Sequence, residues 1–406
     1  MQTSSGRTSA LRRNVYTFGL TSFFNDTASE MAYWVLPAFL VSLGAGPAQL
    51  GVIEGIAESV ASLAKLYSGQ LADRLSRRKP IVVTGYVVAN AVKPILAVAT
   101  SWLHVLFIRF ADRVAKGIRG TPRDVMLTES VEKDRVGSAF GLLQAMDSAG
   151  AIAGPLLALA ILAHFSLRGV FCAAIVPGFL SVVVALLGIH ETRSESSVKP
   201  LSNDRQKPGG EQQARRSWWK PGLPRPFYGV LAVVTLFSLG NSSDMFLVLR
   251  AQNVGIGVGH APLLGLVFNI TYTALSWPAG FLSDHLSRRS LVALGYLVFS
   301  GVYLVFATAP STRWLWIAMA AYGLFYALTS PVLKALIADT VQDEFRGRAF
   351  GLFYFVTSIA TLLASIVAGE MWKSIGASAP FYVSATAAIV AALLLVILPR
   401  KAAVSA

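Results

Sequence analysis

Charge and cysteine are both scarce in this chain. Only 14% of its 406 residues are charged, whereas 54% are hydrophobic and the mean hydropathy is +0.58. A soluble globular protein of this length does not need so apolar a composition. The composition therefore predicts an integral membrane protein that is surrounded by the lipid bilayer.

Several kinds of chemical site are also missing from the sequence. Cys172 is the only cysteine, so a disulfide framework is excluded, and its apolar surroundings are typical of a core residue. The histidines are widely spaced and form no metal-ligand cluster, and no Walker loop or kinase signature is present. We therefore expect no metal, no cofactor and no ATP-driven step. The lack of a paired nucleophile and base argues against an intramembrane enzyme, and the lack of a sizeable soluble domain argues against a receptor.

Long apolar runs dominate what is present. Because a spanning helix needs about 20 mostly apolar residues, these runs predict about twelve membrane spans. The predicted spans are 15–43, 48–72, 80–100, 102–123, 137–163, 169–190, 227–250, 260–283, 290–309, 313–337, 347–371 and 378–398. The runs are too long for the alternating strands of a membrane barrel. The expected fold is an all-α membrane protein.

The net charge of +14 follows the predicted topology and is not gathered into a nucleic-acid-binding patch, so no nucleic-acid partner is expected. With a cytoplasmic N-terminus, most loop bases lie on the inner side, and few remain outside. Those few are Arg168, Arg313, Lys373 and, near the outer surface, Arg250. This is the positive-inside pattern, so both termini are expected in the cytoplasm. The first span contains Asp26 and Glu30 and is expected to remain in the mature chain.

A polar segment divides the chain into two halves. Residues 191–226 are rich in bases and contain proline and glycine, which is typical of a linker. Six predicted spans precede this segment and six follow it. We therefore predict an N-terminal six-helix bundle at 1–190, a cytoplasmic linker at 191–226 and a C-terminal six-helix bundle at 227–406.

Two motifs occur once in each half. GQLADRLSRRK at 69–79 matches GFLSDHLSRRS at 280–290, and VEKDRVGSAFGL at 131–142 matches VQDEFRGRAFGL at 341–352. The first alignment pairs Asp73 with Asp284, Arg77 with Arg288, and Arg78 with Arg289. The separations are 211 (69 to 280) and 210 (131 to 341) residues, so the intervening helices have nearly equal lengths. A parallel repeat of two bundles is typical of transporters with a site between the halves.

These motifs resemble those of the major facilitator superfamily, and the likeness covers nearly the whole chain. The family's loop signature is present as Gly69, Asp73, Arg74, Arg77 and Arg78, with Ser76 in place of its second glycine. Its helix 4 signature appears as Arg113 and Gly117. Part of the antiporter signature of helix 5 appears as Gly150, Gly154 and Pro155, but Ala158 and Leu159 replace the terminal glycines.

The resemblance implies a secondary transporter of a small organic molecule, working by alternating access in the cell inner membrane. The partial helix 5 signature and the membrane acids favour proton-coupled efflux of the drug/proton antiporter type, and we expect a monomer. Two alternatives stay open. Arg109, Arg113 and Lys116 align on the fourth span, as an organic-anion carrier would require. A metabolite importer or uniporter of the same fold shares the loop motif.

Charged residues inside the predicted spans are candidates for proton coupling, because charge in a bilayer is costly and needs a partner or a function. The candidates are Asp26, Glu30, Arg109, Arg113 and Asp147. Burial disfavours a charged carboxylate and a nearby arginine favours it, so relative movement of the two can load or release a proton. Ion pairs that merely hold helices together remain the alternative, above all for Asp147.

Neutral polar and aromatic residues are candidates for substrate binding. In the seventh span, Asn241 and Asp244 echo Asn25 and Asp26 of the first span. The full candidate set is Asn25, Glu58, Asn241, Asp244, Asn269, Tyr272, Tyr322 and Tyr326. Tyrosine combines an apolar ring with a polar hydroxyl group, so the set favours an amphipathic substrate. Core or interface packing of each single aromatic residue stays open.

The resemblance to the family also implies a gate at the loop motifs. Asp73 is expected to accept hydrogen bonds at the start of the eleventh span, around 347–349, and Asp284 is expected to do the same near Gly137. The gating set is Gly69, Asp73, Arg74, Arg77, Arg78, Asp284, Arg288 and Arg289. Gly150 and Gly154 form a small-xxx-small face for close helix packing, and Pro155 can bend that helix near the interface between the halves.

The predicted topology is testable with two single-cysteine variants. In a Cys172→Ala background, Lys133→Cys is expected to react with a membrane-impermeant maleimide only after the membrane is opened, because its loop lies inside. Lys373→Cys is the matched outer control and is expected to react in intact cells. The reverse labelling pattern would contradict the orientation.

Overall fold

The chain is almost entirely helical. A computed structural model describes residues 4–45, 47–75, 77–192, 222–257, 261–308 and 311–397, and no strand occurs in these ranges. The helices are α1 (Ser4–Ser42), α2 (Pro47–Arg74), α3 (Lys79–Val92), α4 (Trp102–Glu129), α5 (Val136–Leu162), α6 (Leu167–Ala173), α7 (Ile175–Gly188), α8 (Arg225–Gly240), α9 (Met245–Val254), α10 (Ala261–His285), α11 (Arg288–Thr308), α12 (Thr312–Thr340), α13 (Arg346–Ser374) and α14 (Ala379–Ile397). The predicted linker lies mostly outside the described residues.

Three predicted spans are broken in the structure. The third span changes from α3 to a 3₁₀ helix at Lys93–Val98, beside Pro94. The sixth is divided into α6 and α7 near Ala173, where Pro177 has no N–H group to donate four residues back. The seventh is divided into α8 and α9 by the non-helical residues 241–244. The predicted spans at these places are confirmed in length and hydropathy. Their division into two helical pieces was not predicted, because an apolar run does not reveal a local loss of backbone hydrogen bonds.

Two helices are longer than the sequence predicted. α1 begins at Ser4, and α4 continues to Glu129 although the predicted span ends at 123. The extension of α4 keeps a charged stretch within the helix, where its side chains pack against neighbouring helices. Asp124 in this extension is buried, as is Arg119 one turn earlier.

The helices form two pseudo-symmetric bundles with the same packing pattern. In the first bundle α1 packs on α5 and α7, α4 packs on α2 and α3, and α3 packs on α7. In the second bundle α8 packs on α13 and α14, α12 packs on α10 and α11, and α11 packs on α14. The correspondence is one to one, so the duplicated motifs reflect duplicated packing. The fold is that of an all-α membrane protein with two six-span halves.

Membrane crossing is consistent with the helix lengths. Within the described residues, eight segments are long and apolar enough to span a bilayer. α1, α2, α4 and α10 are not in that set. Since α1 and α4 carry much of the interior charge, the polarity of the first bundle is concentrated on the helices that line its interior.

The two bundles meet mainly through two helix pairs related by the repeat. α2 of the first bundle packs on α13, and α5 packs on α10 and more briefly on α12. Phe140 of α5 and Phe350 of α13 form an edge-to-face pair with ring centroids 6.0 Å apart. The contacts bring together the ends of α2, α5, α10 and α13 that carry the duplicated motifs. We call this end of the molecule the latch side.

Candidate functional site

Each loop carboxylate of the repeat accepts backbone hydrogen bonds from the opposite bundle. Asp73 accepts the N–H groups of Gly347 (2.7 Å) and Arg348 (2.9 Å), which lie in the first turn of α13. Helix N-termini carry unsatisfied N–H groups and a partial positive charge, so they bind anions well. The hydrogen bonds predicted for Asp73 are therefore present. We call this contact the first latch.

The second latch is the counterpart of the first under the repeat. Asp284 accepts the N–H groups of Gly137 (2.7 Å) and Ser138 (2.8 Å) in the first turn of α5. It also accepts the Ser138 hydroxyl group at 2.5 Å. In both latches the donors are the second and third residues of the helix. Each bundle thus supplies one carboxylate, which accepts hydrogen bonds from a helix N-terminus of the other bundle.

Glycine is required at the latches because the helix backbones touch. A Cβ atom added at Gly69 would fall against the carbonyl oxygen of Gly347, and one added at Gly280 would fall against that of Gly137. Added at Gly347, it would meet the carboxylate of Asp73. Any side chain here would separate the backbones and lengthen the hydrogen bonds.

The structure corrects the pairing of the motif arginines. Arg78 donates from Nε to the carbonyl of Ala72 (2.6 Å) and forms an ion pair with Glu129 (2.5 Å). Arg288 donates from Nε to the carbonyl of Ser283 (3.3 Å) and pairs with Asp339. Ala72 and Ser283 each precede a latch carboxylate, and Glu129 and Asp339 each lie near the end of the fourth helix of their bundle. Arg78 is therefore the counterpart of Arg288, and the alignment of Arg77 with Arg288 is wrong by one residue. The one-residue difference between the two repeat separations falls in this loop.

The remaining arginines of the loop motifs lie at the periphery. Arg74 and Arg77 are exposed, and Arg289 is partly buried. Arg288 also contacts its own latch residue Asp284 at 3.1 Å. Ser76, where the family signature has glycine, lies outside the described residues.

A second layer of contacts joins the bundles deeper than the latches. Tyr354 of α13 donates to Asp124 of α4 at 2.5 Å, and Ser330 of α12 donates to Gln144 of α5 at 3.2 Å. Arg123 pairs with Asp124 at 3.1 Å. These contacts bury polar groups between the bundles, so closure on the latch side extends well beyond the surface loops.

A polar cavity of about 130 Å³ lies within the first bundle. It contains four of the five proton-coupling candidates, namely Asp26, Glu30, Arg109 and Arg113. Asp112, Lys116 and Arg119 also contribute to its lining. Arg109 lies 3.6 Å from Asp112, and its guanidinium group lies over the ring of Tyr33 at 5.6 Å. The cavity thus places two carboxylates of α1 opposite a basic face of α4.

A chain of amides connects this cavity with α3. Asn25 donates to Asp26 at 2.9 Å and accepts from Asn90 at 3.1 Å. Lys93 donates to the side-chain oxygen of Asn90 at 2.9 Å and is buried. The substrate-binding candidate Asn25 therefore supports Asp26, and Lys93, at the end of α3, belongs to the same network.

Asp147 is not among the residues that line this cavity. It lies on α5, one of its carboxylate oxygens is buried without a hydrogen-bond partner, and the charged groups that act on it are Asp26, Arg123 and Lys334. Lys334 belongs to the opposite bundle. Asp147 therefore lies between Asp26 of the polar cavity and the layer that joins the bundles.

Asp244 is the acidic centre of the second bundle. Its carboxylate accepts the Tyr322 hydroxyl group at 2.7 Å and that of Tyr326 at 3.5 Å. Tyr272 lies beside them, with its ring centroid 5.4 Å from that of Tyr326. The structure thus brings four of the substrate-binding candidates together.

The other substrate-binding candidates are dispersed. Asn241 lies on the non-helical stretch before Asp244, and its side-chain oxygen is buried without a partner. Asn269 donates to the carbonyl of Gly265 within its own helix at 3.0 Å. The side chain of Glu58 lies outside the part of the chain that the structure describes.

The helix 5 glycines pack within the first bundle. A Cβ atom added at Gly150 would meet the backbone of Phe23, and one at Gly154 would meet Glu30. They permit close approach of α5 to α1, as predicted, but they do not face the other bundle. Pro155 follows them inside α5. Gly137 and Gly141 of the same helix are the glycines that pack against the other bundle. A bend at Pro155 stays a prediction.

Sequence reasoning missed part of the site on α4. Arg119, Arg123 and Asp124 follow the predicted end of the membrane span or lie close to it, where the run RGTPRD is typical of a helix terminus. Arg119 instead lies over the ring of Tyr86 at 4.3 Å, and Arg123 donates to Ser22 at 3.1 Å. The amphipathic pattern of α4 was the signal available, since its charges recur on one face of the helix.

Comparison with known proteins agrees with this geometry. The sequence profile of the Major Facilitator Superfamily matches residues 18–249 and 230–406. An uncharacterised MFS-type transporter of Methanocaldococcus jannaschii is 34% identical over 393 residues, covering 95% of this chain and 94% of the relative. The multi-drug resistance efflux pump PmrA of Streptococcus pneumoniae is 24% identical over 376 residues, covering 89% and 90%.

Solved structures share the fold at low sequence identity. The human organic anion transporter MFSD10 superposes with a TM-score of 0.79 at 15% identity, covering 95% of this chain and 99% of that one. The transporter FucP, in its outward conformation, gives 0.74 at 15% identity, covering 95% and 99%. Two homologous bundles with a polar site between and within them define a membrane transporter. The chain belongs to the Major Facilitator Superfamily.

Neutralising a latch is expected to open the latch side. Asp73→Asn and Asp284→Asn each replace charge-assisted hydrogen bonds, which stabilise the closed state by about 1.5 kcal/mol or more, roughly a tenfold change in population. Distances between spin labels on α2 and α13 in liposomes measure that population. Asp134→Asn is the matched control, because Asp134 is exposed. Unchanged distance distributions in both latch variants would contradict the role of the latches.

The corrected arginine pairing predicts unequal effects in one loop. Arg78→Ala leaves Glu129 partly buried without its partner and is expected to destabilise the protein by about 3 kcal/mol. Arg77→Ala changes an exposed side chain, so an effect within about 0.5 kcal/mol is expected. Thermal unfolding of the purified variants compares the two. Equal losses would support the original alignment.

Proposed function

We propose that the chain is a secondary active transporter that exports a small organic molecule across the cytoplasmic membrane in exchange for protons. The observation that carries this proposal is the closure of the bundles on the latch side, with polar interior residues beyond it. Lys116 and Asp244 are exposed although they belong to the interior faces of their bundles. Such an arrangement suits alternating access.

The latches supply the switch that alternating access needs. Their hydrogen bonds join different bundles, so they exist only while the latch side is closed. A contact made in one state alone biases the equilibrium between the states. With the positive-inside orientation, the latch side is cytoplasmic and the described state faces outward.

The carboxylates of α1 are the proposed proton carriers. Asp26 and Glu30 share a cavity with Arg109 and Arg113, so the charge state of the acids depends on how closely the bases approach. Movement of α4 against α1 would change that approach. In support of export, the multi-drug resistance efflux pump PmrA is similar to this chain over most of its length.

An organic-anion carrier is the second candidate function. Three acids and four bases line the polar cavity, so the bases are in excess by one. A bidentate guanidinium group suits a carboxylate ligand. The structural neighbour MFSD10 is an organic anion transporter, which makes this alternative worth testing beside export.

Transport in proteoliposomes tests the proposal. Purified protein is given an imposed pH gradient and a panel of lipophilic cations, neutral drugs and organic anions. Gradient-driven flux is expected for at least one class. Asp26→Asn and Glu30→Gln are each expected to reduce that flux about tenfold or more, because a neutral side chain cannot carry the proton.

Two controls make the result specific. Glu370→Gln changes a carboxylate that lies near the far end of α13, remote from the cavity, and is expected to transport like the wild type. If flux in the wild type does not depend on the pH gradient, the proposal of proton antiport is overturned. Flux of organic anions alone, without dependence on pH, would favour the second candidate.

A further inference from the structure

Asp244 and the aromatic rings around it form a site apart from the proposed proton carriers. We propose that this site binds the cationic group of the substrate, a protonated amine or a quaternary ammonium. The inference rests on the transport function proposed above and adds the charge of the transported molecule. The site consists of Asp244, Phe268, Tyr272, Tyr322 and Tyr326, and we call it the cation pocket.

Within the part of the chain that the structure describes, the carboxylate of the cation pocket has no basic partner. Among the described residues, its hydrogen bonds come from the hydroxyl groups of Tyr322 and Tyr326. The base closest in sequence, Arg250, is used elsewhere. It donates to the carbonyls of Phe306 (3.0 Å) and Ala307 (3.1 Å) at the other end of α9. A carboxylate at membrane depth is costly without a countercharge, and a cationic ligand would supply one.

The carboxylate is also accessible. Asp244 is exposed despite its place between α8 and α9. The short hydrogen bond from Tyr322 reaches Oδ1, whereas Oδ2 has only the longer contact with Tyr326 at 3.5 Å. The phenol groups thus orient the carboxylate and leave one oxygen largely available to a ligand.

Four aromatic rings gather beside the carboxylate. The ring of Phe268 lies 5.6 Å from that of Tyr322 and 5.2 Å from that of Tyr326. Tyr322 and Tyr326 are almost perpendicular, at 85°. Tyr272 and Tyr322 are buried, whereas Phe268 and Tyr326 are only partly buried and are the rings that can offer a face to an organic cation. Carboxylate and rings together match an ammonium group better than they match a bare proton.

The backbone around Asp244 supports a binding role. Residues 241–244 are not helical, and non-helical backbone at membrane depth is tolerated where it lines a cavity or is buried in protein. The N–H group of Ser243 is satisfied by the hydroxyl group of Ser365 at 3.0 Å. The buried side-chain oxygen of Asn241 has no hydrogen-bond partner.

Equilibrium binding tests the inference without any gradient. The probe is benzyltrimethylammonium, and its uncharged carbon isostere, neopentylbenzene, is the comparison. Binding to the full chain in lipid nanodiscs is measured by calorimetry, with empty nanodiscs as the blank. Asp244→Asn is expected to weaken binding of the ammonium about tenfold or more and to leave binding of the isostere unchanged.

Two variants of Tyr326 distinguish the contribution of its aromatic ring to binding from that of its hydroxyl group. Tyr326→Leu removes the aromatic face and is expected to weaken ammonium binding several-fold, whereas Tyr326→Phe keeps the face and is expected to bind within about threefold of the wild type. Asp244→Glu retains the charge and is expected to bind the ammonium better than Asp244→Asn. Tyr382→Phe, on an exposed residue of α14, is the control for the tyrosine changes.

The inference is overturned if Asp244→Asn binds the ammonium as the wild type does. Equal weakening of the ammonium and the isostere would also overturn it, since that result indicates a loss of packing only. The result is independent of the transport assay. Intact ammonium binding without pH-driven flux would remove the antiport proposal and retain the cation pocket, whereas pH-driven flux of anions alone, without ammonium binding, would do the opposite.

Discussion

Unsatisfied backbone groups at two helix N-termini are the constraint on which the closed arrangement depends. The first turns of α5 and α13 present N–H groups that their own helices cannot satisfy. Asp284 and Asp73 satisfy them from the opposite bundle. The carboxylates in turn gain hydrogen bonds that replace water. Because glycine backbones touch beside both carboxylates, this exchange is possible only when the bundles are in direct contact.

The repeat preserves this backbone arrangement while the interiors of the bundles have diverged. The first bundle places acids and bases of α1 and α4 around one cavity. In the second bundle the interior acid Asp244 accepts hydrogen bonds from phenol groups. Charge in a bilayer needs compensation, and the two bundles provide it differently, by ion pairing in one and by hydrogen bonds from tyrosine in the other. This difference suits a division between proton coupling and substrate binding.

Much of the fold could be predicted because membrane spans depend on local composition. The number of spans and the two halves follow from apolar runs and duplicated motifs. The hydrogen bonds of Asp73 and Asp284 were expected from the resemblance to the family. The breaks near Pro177 and at 241–244 were not predicted, because hydropathy averages over a few residues. The depth of Arg119 and Asp124 was missed for the related reason that a charged run resembles a helix end. The equivalence of Arg78 and Arg288 is visible only in the tertiary structure. A one-residue difference in loop length shifts the sequence alignment but leaves the packing of the two arginines unchanged.

By itself, the sequence determined that this protein spans a membrane as two related bundles, that its interior contains charge, and that its loops carry paired acidic motifs. These properties follow from composition and repetition, which are local. Only the tertiary structure decided which charges share a cavity, which arginine supports each latch, and that Asp244 lies among tyrosines without a basic partner. Those relations join residues that are far apart in the chain, such as Asp244 and Tyr322, and they depend on how the helices pack rather than on any spacing along the sequence.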